Sequence, residues 1–237
     1  FYQFAGAHVD ISETWIGNGR KIKNYSKAKP SVMAAFEPYK IIMTQKEAGF
    51  KGKIIEKIHW LDLPIACKEL IKEIKKKRFS DRRKLTADTG SKLMSAIHQI
   101  CSGTYIDDDH NRQFMDDFKV RYIKEHFRGR KIVIFYNYIA EGEMLKKAFK
   151  YWTDDPEYFD YYENVPFICQ IKAGKEGIDL RTADDIVYFN INHSAVCYWQ
   201  SRARSQSKDG GDKLCHWIFT NTGIEKDIYE VVQGKKN

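Results

Sequence analysis

The chain has 237 residues, of which 43% are hydrophobic and 14% aromatic, so it can bury a core and is not a disordered tail. Its formal net charge of +8 favours a polyanionic partner, and the alternative is that the charge serves only solubility. No apolar run is long enough to span a bilayer and no signal peptide is visible, so we expect no membrane association.

The five cysteines are scattered, and none forms a CxxC pair. The odd count argues against a disulfide framework, and the spacing argues against a zinc site. We therefore expect reduced thiols packed as small hydrophobic side chains in a cytoplasmic protein, with no bound metal at cysteine.

The first 50 residues show no clean hydrophobic period. The segment 17–31, "GNGRKIKNYSKAKPS", has the Gly, Asn, Ser and Pro content of a loop and is rich in lysine. The chain starts "FYQFAGAHVD", without a Met, which predicts that it continues a longer polypeptide.

A strand and then a helix are predicted next. Apolar and polar residues alternate over 53–63, which indicates a strand, and Pro64 then opens a helix. The expected buried stripe of that helix is Ile65, Leu70, Ile71 and Ile74.

The end of this helix is strongly basic. Its cations are Lys75, Lys76, Lys77 and Arg78, and 82–84 adds "RRK". Two interpretations stay open: cations stabilised by the helix dipole, or a patch that contacts phosphates.

A short amphipathic helix is predicted over 91–101, and the acidic run 107–110, "DDDH", follows it. Such a run suits a metal or a Walker-type acidic motif. Because no strand precedes it, we interpret it as an acidic turn.

From Lys131 onward, short apolar strands alternate with helices. This order predicts a parallel sheet with helices on both faces, whose ligands bind in the loops at the carboxyl ends of the strands. The predicted strands are "KIVIFYN", "VPFICQI", "DDIVYFN" and "KLCHWIFT", and the predicted helices are "EGEMLKKAFKYW", the one from Ser194 and "GIEKDIYEVVQ". The loops of interest follow Asn137, Ile171, Asn190 and Thr220.

The loop "AGKEGIDL" follows the second of these strands. Gly174 and Gly177 allow the backbone to approach a ligand closely, and successive N–H groups in such a loop can bind an anion. No GxxxxGK[ST] sequence occurs in the chain, so a phosphate loop of the usual kind is excluded.

A helix capped by Ser194 would carry Gln200, Arg204 and Ser207 on one exposed face, with Lys208 beside them. Arg202 would point the other way, and Val196 and Ala203 would face the sheet. A guanidinium on such a face suits bidentate phosphate contact, and the alternative is a solvated helix surface.

Taken in order, these segments resemble the second, C-terminal motor lobe of superfamily 2 helicases. The likeness is greatest to the Swi/Snf-type branch and to compact versions from bacterial viruses. "IVIFYNYIAEGEMLKKAF" is similar to motif IV, "QIKAGKEGIDLRTADDIVYFN" to motif V and "INHSAVCYWQSRARSQSK" to the segment leading into motif VI. "KIIEKIHWLDLP" and "LMSAIHQICSG" resemble the entry to this lobe.

The resemblance implies a RecA-like α/β lobe at 53–237, with 1–52 as the junction segment from a missing first lobe. ATP and Mg²⁺ would be held mainly by that first RecA-like lobe, and DNA, duplex or single strand, would be the other partner. The cell would be a bacterium or a phage-infected host.

The resemblance also implies site residues. Arg204 is the first choice for the arginine finger, with Arg202 and Lys208 in reserve and Gln200 beside it; Gly177 and Asp179 would approach the nucleotide. Nucleic-acid contacts would come from Asn137, Lys172, Ala173 and Gly174, together with the basic run Lys75, Lys76, Lys77 and Arg78.

The family pattern places a second arginine where this chain has Ser207. This departure leaves three alternatives: a DNA helicase or translocase lobe, a nucleic-acid-binding module with an inactive motor, and an unrelated doubly wound enzyme. The third would need a phosphate loop that the sequence does not contain.

Overall fold

The computed structural model describes residues 1–16, 19–40, 43, 47–173 and 178–235. It divides into two compact units, 1–48 and 49–237. The interpretation of the first segment as the tail of a preceding lobe stays a prediction.

The first unit contains a helix, a hairpin and a second helix. These are α1 (Tyr2–His8), β1 (Val9–Ile16), β2 (Arg20–Ala28), α2 (Ser31–Phe36) and a 3₁₀ turn, Glu37–Tyr39. β1 and β2 pair antiparallel. The loop prediction for 17–31 is therefore wrong over β2. Eight of its nine side chains are exposed, so no apolar face marks the strand in the sequence.

The second unit begins with an edge strand, followed by three helices and two pairs of short strands. In chain order, its first elements are β3 (Ile54–Leu61), α3 (Ile65–Lys77), β4 (Phe79–Ser80), a 3₁₀ turn (Asp81–Arg83), β5 (Leu85–Thr86), α4 (Gly90–Ile100), β6 (Thr104–Ile106), β7 (Arg112–Phe114) and α5 (Phe118–His126). The predicted strand and both predicted helices are confirmed. Ile65 is an exception within α3, because its side chain is 75% exposed and Cys67 takes the buried place.

The remaining elements include the four predicted strands and the three predicted helices, together with the helix Pro156–Tyr161, which was not predicted. They are β8 (Ile132–Tyr136), α6 (Ile139–Ala148), α7 (Pro156–Tyr161), β9 (Phe167–Gln170), β10 (Asp185–Tyr188), α8 (Ala195–Ala203), β11 (Lys213–Thr220) and α9 (Ile224–Gly234). α6 ends earlier than the predicted helix, since Phe149 adopts extended backbone angles.

Five strands form one parallel sheet in the order β3-β11-β10-β8-β9. Alternate strand residues feed two apolar clusters, one on each face, as the period of a strand requires. Phe135, Tyr188 and Trp217 belong to the cluster that α3, α4, α8 and α9 cover. Ile134, Val187 and Ile218 belong to the cluster that α5 and α6 cover. This is the predicted RecA-like arrangement.

Candidate functional site

The carboxyl ends of β8, β9 and β10 surround a cavity of about 660 Å³. The chain leaves β8 for β9 on one side and later returns to β10 on the other, so the strand order reverses here. In open α/β sheets, ligands bind at such a reversal. Asn137 and Lys172, which follow β8 and β9, both line this cavity. The structure thus brings together two residues predicted to contact nucleic acid.

The cavity wall carries four side-chain amides, a phenol ring and several cationic or imidazole groups. Its polar lining residues are Gln99, His110, Arg112, Asn137, Tyr138, Gln170, Lys172, Asn192, His193 and Ser194. No carboxylate lies among the described lining residues. Such a wall is suited to a ligand that combines negative charge with hydrogen-bonding edges.

Glu141 holds the rim of this cavity in place. Its buried carboxylate accepts hydrogen bonds from the backbone N–H groups of Asn137 and Tyr138, each 2.9 Å, and from the side chain of Asn190. Burial raises the pKa of Glu141, and the bond from Asn190 opposes that rise. One carboxylate therefore ties the loop after β8 to the end of β10.

A buried ion pair joins the ends of β10 and β11. The Lys119 ammonium, with no exposed side-chain surface, pairs with Glu225 and donates to the Phe189 carbonyl at 3.0 Å. The other oxygen of Glu225 accepts from the backbone N–H of Thr220 at 2.6 Å. Both loops at this edge are thus fixed by buried, paired charges.

A basic groove lies along α3. Lys68, Lys72, Lys75 and Lys76 line a cleft of about 620 Å³, together with the residues that follow β11. Their spacing places them on one helix face. The predicted run is divided: Lys75 and Lys76 face the groove, whereas Lys77 pairs with Glu73 at 3.2 Å.

Arg78 ends α3 in the left-handed region, with φ at 70°, and its N–H bonds the Ile74 carbonyl. Its place is therefore that of a helix cap, one residue beyond the last turn. The structure gives it no lining role in the groove.

Leu180, the last residue of the "AGKEGIDL" segment, lies at the opposite edge of the sheet from the cavity. The backbone N–H of Leu180 donates to the Arg204 carbonyl at 3.1 Å, so the end of this segment meets the end of α8. Lys213, the first residue of β11, donates to the Arg181 and Ala183 carbonyls at 2.8 and 2.6 Å.

Asp179 is bound by its own neighbour. The Arg181 Nε donates to both carboxylate oxygens of Asp179, at 2.9 and 2.8 Å. The hydrogen bond from Arg181 lowers the pKa of Asp179, and burial opposes this weakly. The carboxylate is therefore ionised at neutral pH and remains about half exposed.

α8 begins as predicted but ends sooner. The Ser194 hydroxyl caps it by accepting from the Cys197 N–H, and Arg204 is already the residue after its last turn. Ser207 and Lys208 consequently lie beyond the helix, and the predicted shared face with Gln200 is wrong for them.

The buried face of α8 also differs from the prediction. Val196 is 59% exposed, and Ala203 is exposed as well, whereas Cys197, Tyr198 and Ser201 face the sheet. The prediction used only the seven-residue spacing of Val196 and Ala203 and did not count Tyr198 as a core residue. It therefore chose the wrong face of α8 as the buried one. Gln200 is exposed, as predicted.

Arg202 is held in a structural ion pair. Its guanidinium pairs with Glu56 of β3, donates to the Tyr198 hydroxyl at 2.8 Å and stacks over the Trp199 ring at 4.8 Å. Only 16% of its side chain is exposed. We call Glu56 and the groups that bind it the Glu56 cluster; its members are Glu56, Tyr198, Arg202, Trp217, Tyr229 and Gln233.

The glycine loop and the acidic run 107–110 were also considered as candidate sites. Gly174 and Gly177 lie outside the described residues, and Ala173 lies in an exposed turn just before them. The acidic turn joins β6 to β7, so a short strand does precede it. Asp107 accepts from the Gln113 side chain of the same hairpin at 2.7 Å, and Asp108 accepts from Thr86 of β5 at 2.8 Å.

Sequence reasoning missed Glu56, Glu141 and Asn192. A signal existed for Glu141, because a glutamate three residues after a helix cap is typical of a capping box. Asn192 could have been flagged as the polar residue just after a buried strand. Glu56 gave no local signal.

No protein-family model matches the sequence, and no curated protein matches it either. Solved structures do match. The chain is similar to the C-terminal part of the Fun30 ATPase domain, with a TM-score of 0.59 and 14% identity over 76% of this chain and 89% of that one. It is also similar to the Sulfolobus solfataricus SWI2/SNF2 ATPase C-terminal domain, with a TM-score of 0.51 and 16% identity over 78% and 87% of the two chains.

At these identities the likeness establishes the fold. It is a RecA-like α/β fold, and within that class it is the fold of the C-terminal ATPase lobe of Swi/Snf-type proteins. The resemblance seen in the sequence is confirmed at this level, and its link to bacterial viruses stays a prediction. In the part of the chain that the structure describes, no helix has the length and apolar character that a membrane crossing requires.

Proposed function

We propose that the second unit is the second motor lobe of an ATP-dependent DNA helicase or translocase, which acts on ATP and Mg²⁺ held mainly by a first RecA-like lobe. One observation carries this proposal. On a fold shared with Swi/Snf-type ATPase lobes, the residues predicted to contact nucleic acid and those predicted to approach ATP lie at different edges of the sheet. Asn137 and Lys172 share a cavity at the carboxyl edge of the sheet, whereas Asp179 and Arg204 belong to segments joined at the amino edge.

The carboxyl edge supplies the nucleic-acid contacts. Lys172 and Arg112 give the cavity positive charge, and Lys68, Lys72 and Lys75 give the α3 groove more. Lysines that neutralise phosphates release counterions, so affinity for DNA should fall steeply with salt. The helix-dipole interpretation of the same lysines predicts no such salt dependence.

The amino edge supplies the cation for ATP. Arg204 ends α8 and is joined through its carbonyl to Leu180, one residue after Asp179. Gln200 is exposed on the preceding turn. Arg202 is the weaker candidate because its guanidinium would have to leave Glu56, and an uncompensated buried carboxylate is costly.

The test is Arg204→Ala in a two-lobed protein that contains this lobe. DNA-stimulated ATP hydrolysis should fall by about 10³ or more, the rate effect of a supplied arginine, with ATP binding and thermal stability retained. Arg128→Ala, which removes an exposed arginine before β8, is the matched control and should leave the rate unchanged.

Two results would contradict this assignment. Hydrolysis at full rate in Arg204→Ala would exclude Arg204 as the finger. Hydrolysis by the 237-residue chain alone, at a rate comparable with a two-lobed motor, would contradict the division of the ATP site between lobes.

A second function, DNA binding without ATP hydrolysis, is favoured by one observation. α8 ends at Ala203, so Ser207 and Lys208 cannot continue an arginine-bearing helix. In that case the lobe would bind DNA without supporting hydrolysis. Salt-sensitive DNA binding by a two-lobed protein that shows no DNA-stimulated hydrolysis would identify this alternative.

A further inference from the structure

The cavity at the carboxyl edge contains two buried polar atoms that no described residue satisfies. Gln99 and Asn192 are each 7% exposed, and both line the cavity. The Asn192 Oδ1 accepts from the Ser194 N–H at 2.9 Å, whereas its Nδ2 has no hydrogen-bond partner. The Gln99 Nε2 donates to Ser95 at 3.4 Å, whereas its Oε1 has none.

A buried donor or acceptor without a partner destabilises a protein, so native structures satisfy nearly all of them. Here one donor and one acceptor remain, on side chains that line the same cavity. A ligand that offers an acceptor to Asn192 and a donor to Gln99 would satisfy both. The hydrogen-bonding edge of a nucleobase carries such groups side by side.

The other cavity groups suit the rest of a nucleotide. The Tyr138 ring is fixed through its hydroxyl, 3.0 Å from the His98 Nδ1, and Tyr138 and the His193 imidazole both line the cavity. Flat side chains of this kind stack on bases. Arg112 and Lys172 are exposed cations at this cavity. The Arg112 Nη2 pairs with Glu143 at 3.0 Å, and a guanidinium has further N–H groups that it can offer to a phosphate. The volume of about 660 Å³ falls within the range of small-molecule sites.

We propose that this cavity binds a single unpaired nucleotide of a nucleic-acid strand, with its base edge bound by Gln99 and Asn192 and its phosphate by Arg112 and Lys172. This inference rests on the proposed function and goes further, because it names the substrate class. A base within an intact duplex cannot enter the cavity, so the lobe should prefer strands with unpaired nucleotides.

The experiment measures fluorescence anisotropy of two labelled probes with the 237-residue chain. One probe is a fully paired 20-base-pair DNA duplex, and the other is the same duplex with one bulged nucleotide. We expect the bulged duplex to bind roughly tenfold more tightly, the effect of one added base contact.

Gln99→Met and Asn192→Leu should each remove this preference and leave affinity for the paired duplex unchanged. Gln99→Met should leave the thermal unfolding midpoint nearly unchanged, because it replaces an amide with an unsatisfied atom by an apolar side chain of similar size. Asn192→Leu should lower the midpoint slightly, because it also removes the acceptor of the Ser194 N–H. Asn164→Leu, at an exposed residue before β9, is the matched control and should keep the preference.

The outcomes separate this inference from the proposed function. Equal affinity for the two probes would overturn the nucleotide site and leave a DNA-binding lobe. Binding of neither probe would overturn both. If free deoxyadenosine monophosphate binds with the same dependence on Gln99 and Asn192 but the bulge gains nothing, the occupant is a free nucleotide, and the assignment to a strand is wrong.

Discussion

Two polar networks start from the edge strand β3 and run in opposite directions, one on each face of the sheet. Glu56 points to the face that α8 and α9 cover, and His59, three residues later, points to the face that α5 covers. Both join β3 to its neighbours through polar side chains, but β3 contributes a carboxylate to one network and an imidazole to the other.

The Glu56 cluster concentrates five donors on one carboxylate. Tyr198, Arg202, Trp217, Tyr229 and Gln233 all donate to it, and they come from α8, β11 and α9. The helix that carries Arg204 is therefore fixed to the sheet through Glu56. Stability and the placement of the proposed arginine finger depend on the same carboxylate.

The His59 network is a chain of single contacts. His59 Nδ1 lies 2.7 Å from the Tyr122 hydroxyl, and its Nε2 lies 2.8 Å from His216 Nδ1. His216 Nε2 in turn lies 3.1 Å from Asp185, which also pairs with Arg130. Because each link involves one bond, loss of one group affects only its neighbours. We therefore expect mutation of the Glu56 cluster to have a large effect on stability, and mutation of the His59 network to have a smaller effect that depends on pH.

Glu56→Ala should produce the largest effect. It leaves the Arg202 guanidinium largely buried without its carboxylate, and removal of one partner from such a pair costs about 3–5 kcal/mol. The free energy of unfolding, measured by urea denaturation, should fall by that amount. Glu69→Ala, which removes an exposed carboxylate from α3, should change it by less than about 0.5 kcal/mol. Similar values for the two variants would show that the cluster does not stabilise the fold.

His59→Gln should change how stability depends on pH. Burial, helped by the charges of His216, His126 and Lys57, lowers the pKa of His59 to about 4, from an ordinary value of 6.5. Between these values the unfolded chain binds a proton that the folded chain does not, so stability falls as pH falls from 6.5 to 4. Without His59, the free energy of unfolding should depend less steeply on pH. The slope should change by less than about 1.4 kcal/mol per pH unit, which is the limit for one proton.

The measurement is urea unfolding at several pH values between 4 and 7.5. His98→Gln is the matched comparison, because burial also lowers the pKa of His98 to about 4. Each single variant should flatten part of the slope, and the double variant should flatten more. An unchanged slope in His59→Gln would mean that His59 titrates normally in the folded protein.

Much of the sheet could be predicted because its strands are buried on both faces. β8, β9 and β10 consist mostly of apolar, largely β-branched or aromatic residues, a pattern that few other elements produce. β2 could not be predicted, because its lysine-rich residues are almost all exposed and create no contrast between faces.

The placement of residues could be predicted where it depends on position along the chain and not where it depends on distant partners. Asn137 and Lys172 follow predicted strands, which places them at the carboxyl edge of the sheet, and their contacts with nucleic acid stay predictions. Arg202 was ranked as a reserve finger because nothing near it in the sequence shows Glu56, which joins Tyr198 of the same cluster across 142 residues. Pairings over such distances are set by the fold and not by local sequence.

The smallest effects should come from the same substitution made on each network. Tyr198→Phe removes a buried hydroxyl that binds Glu56 and accepts from Arg202 and Gln233, each at 2.8 Å. Because charged groups lose a hydrogen bond, we expect a cost of about 1.5–3 kcal/mol. Tyr122→Phe removes a half-buried hydroxyl that contacts the imidazoles of His59 and His126. Because water can replace this hydroxyl, a cost of about 0.5–1 kcal/mol is expected. Urea unfolding at pH 7.5 measures both. Equal costs would mean that the negative charge of Glu56 does not strengthen the hydrogen bonds that join β3 to α8.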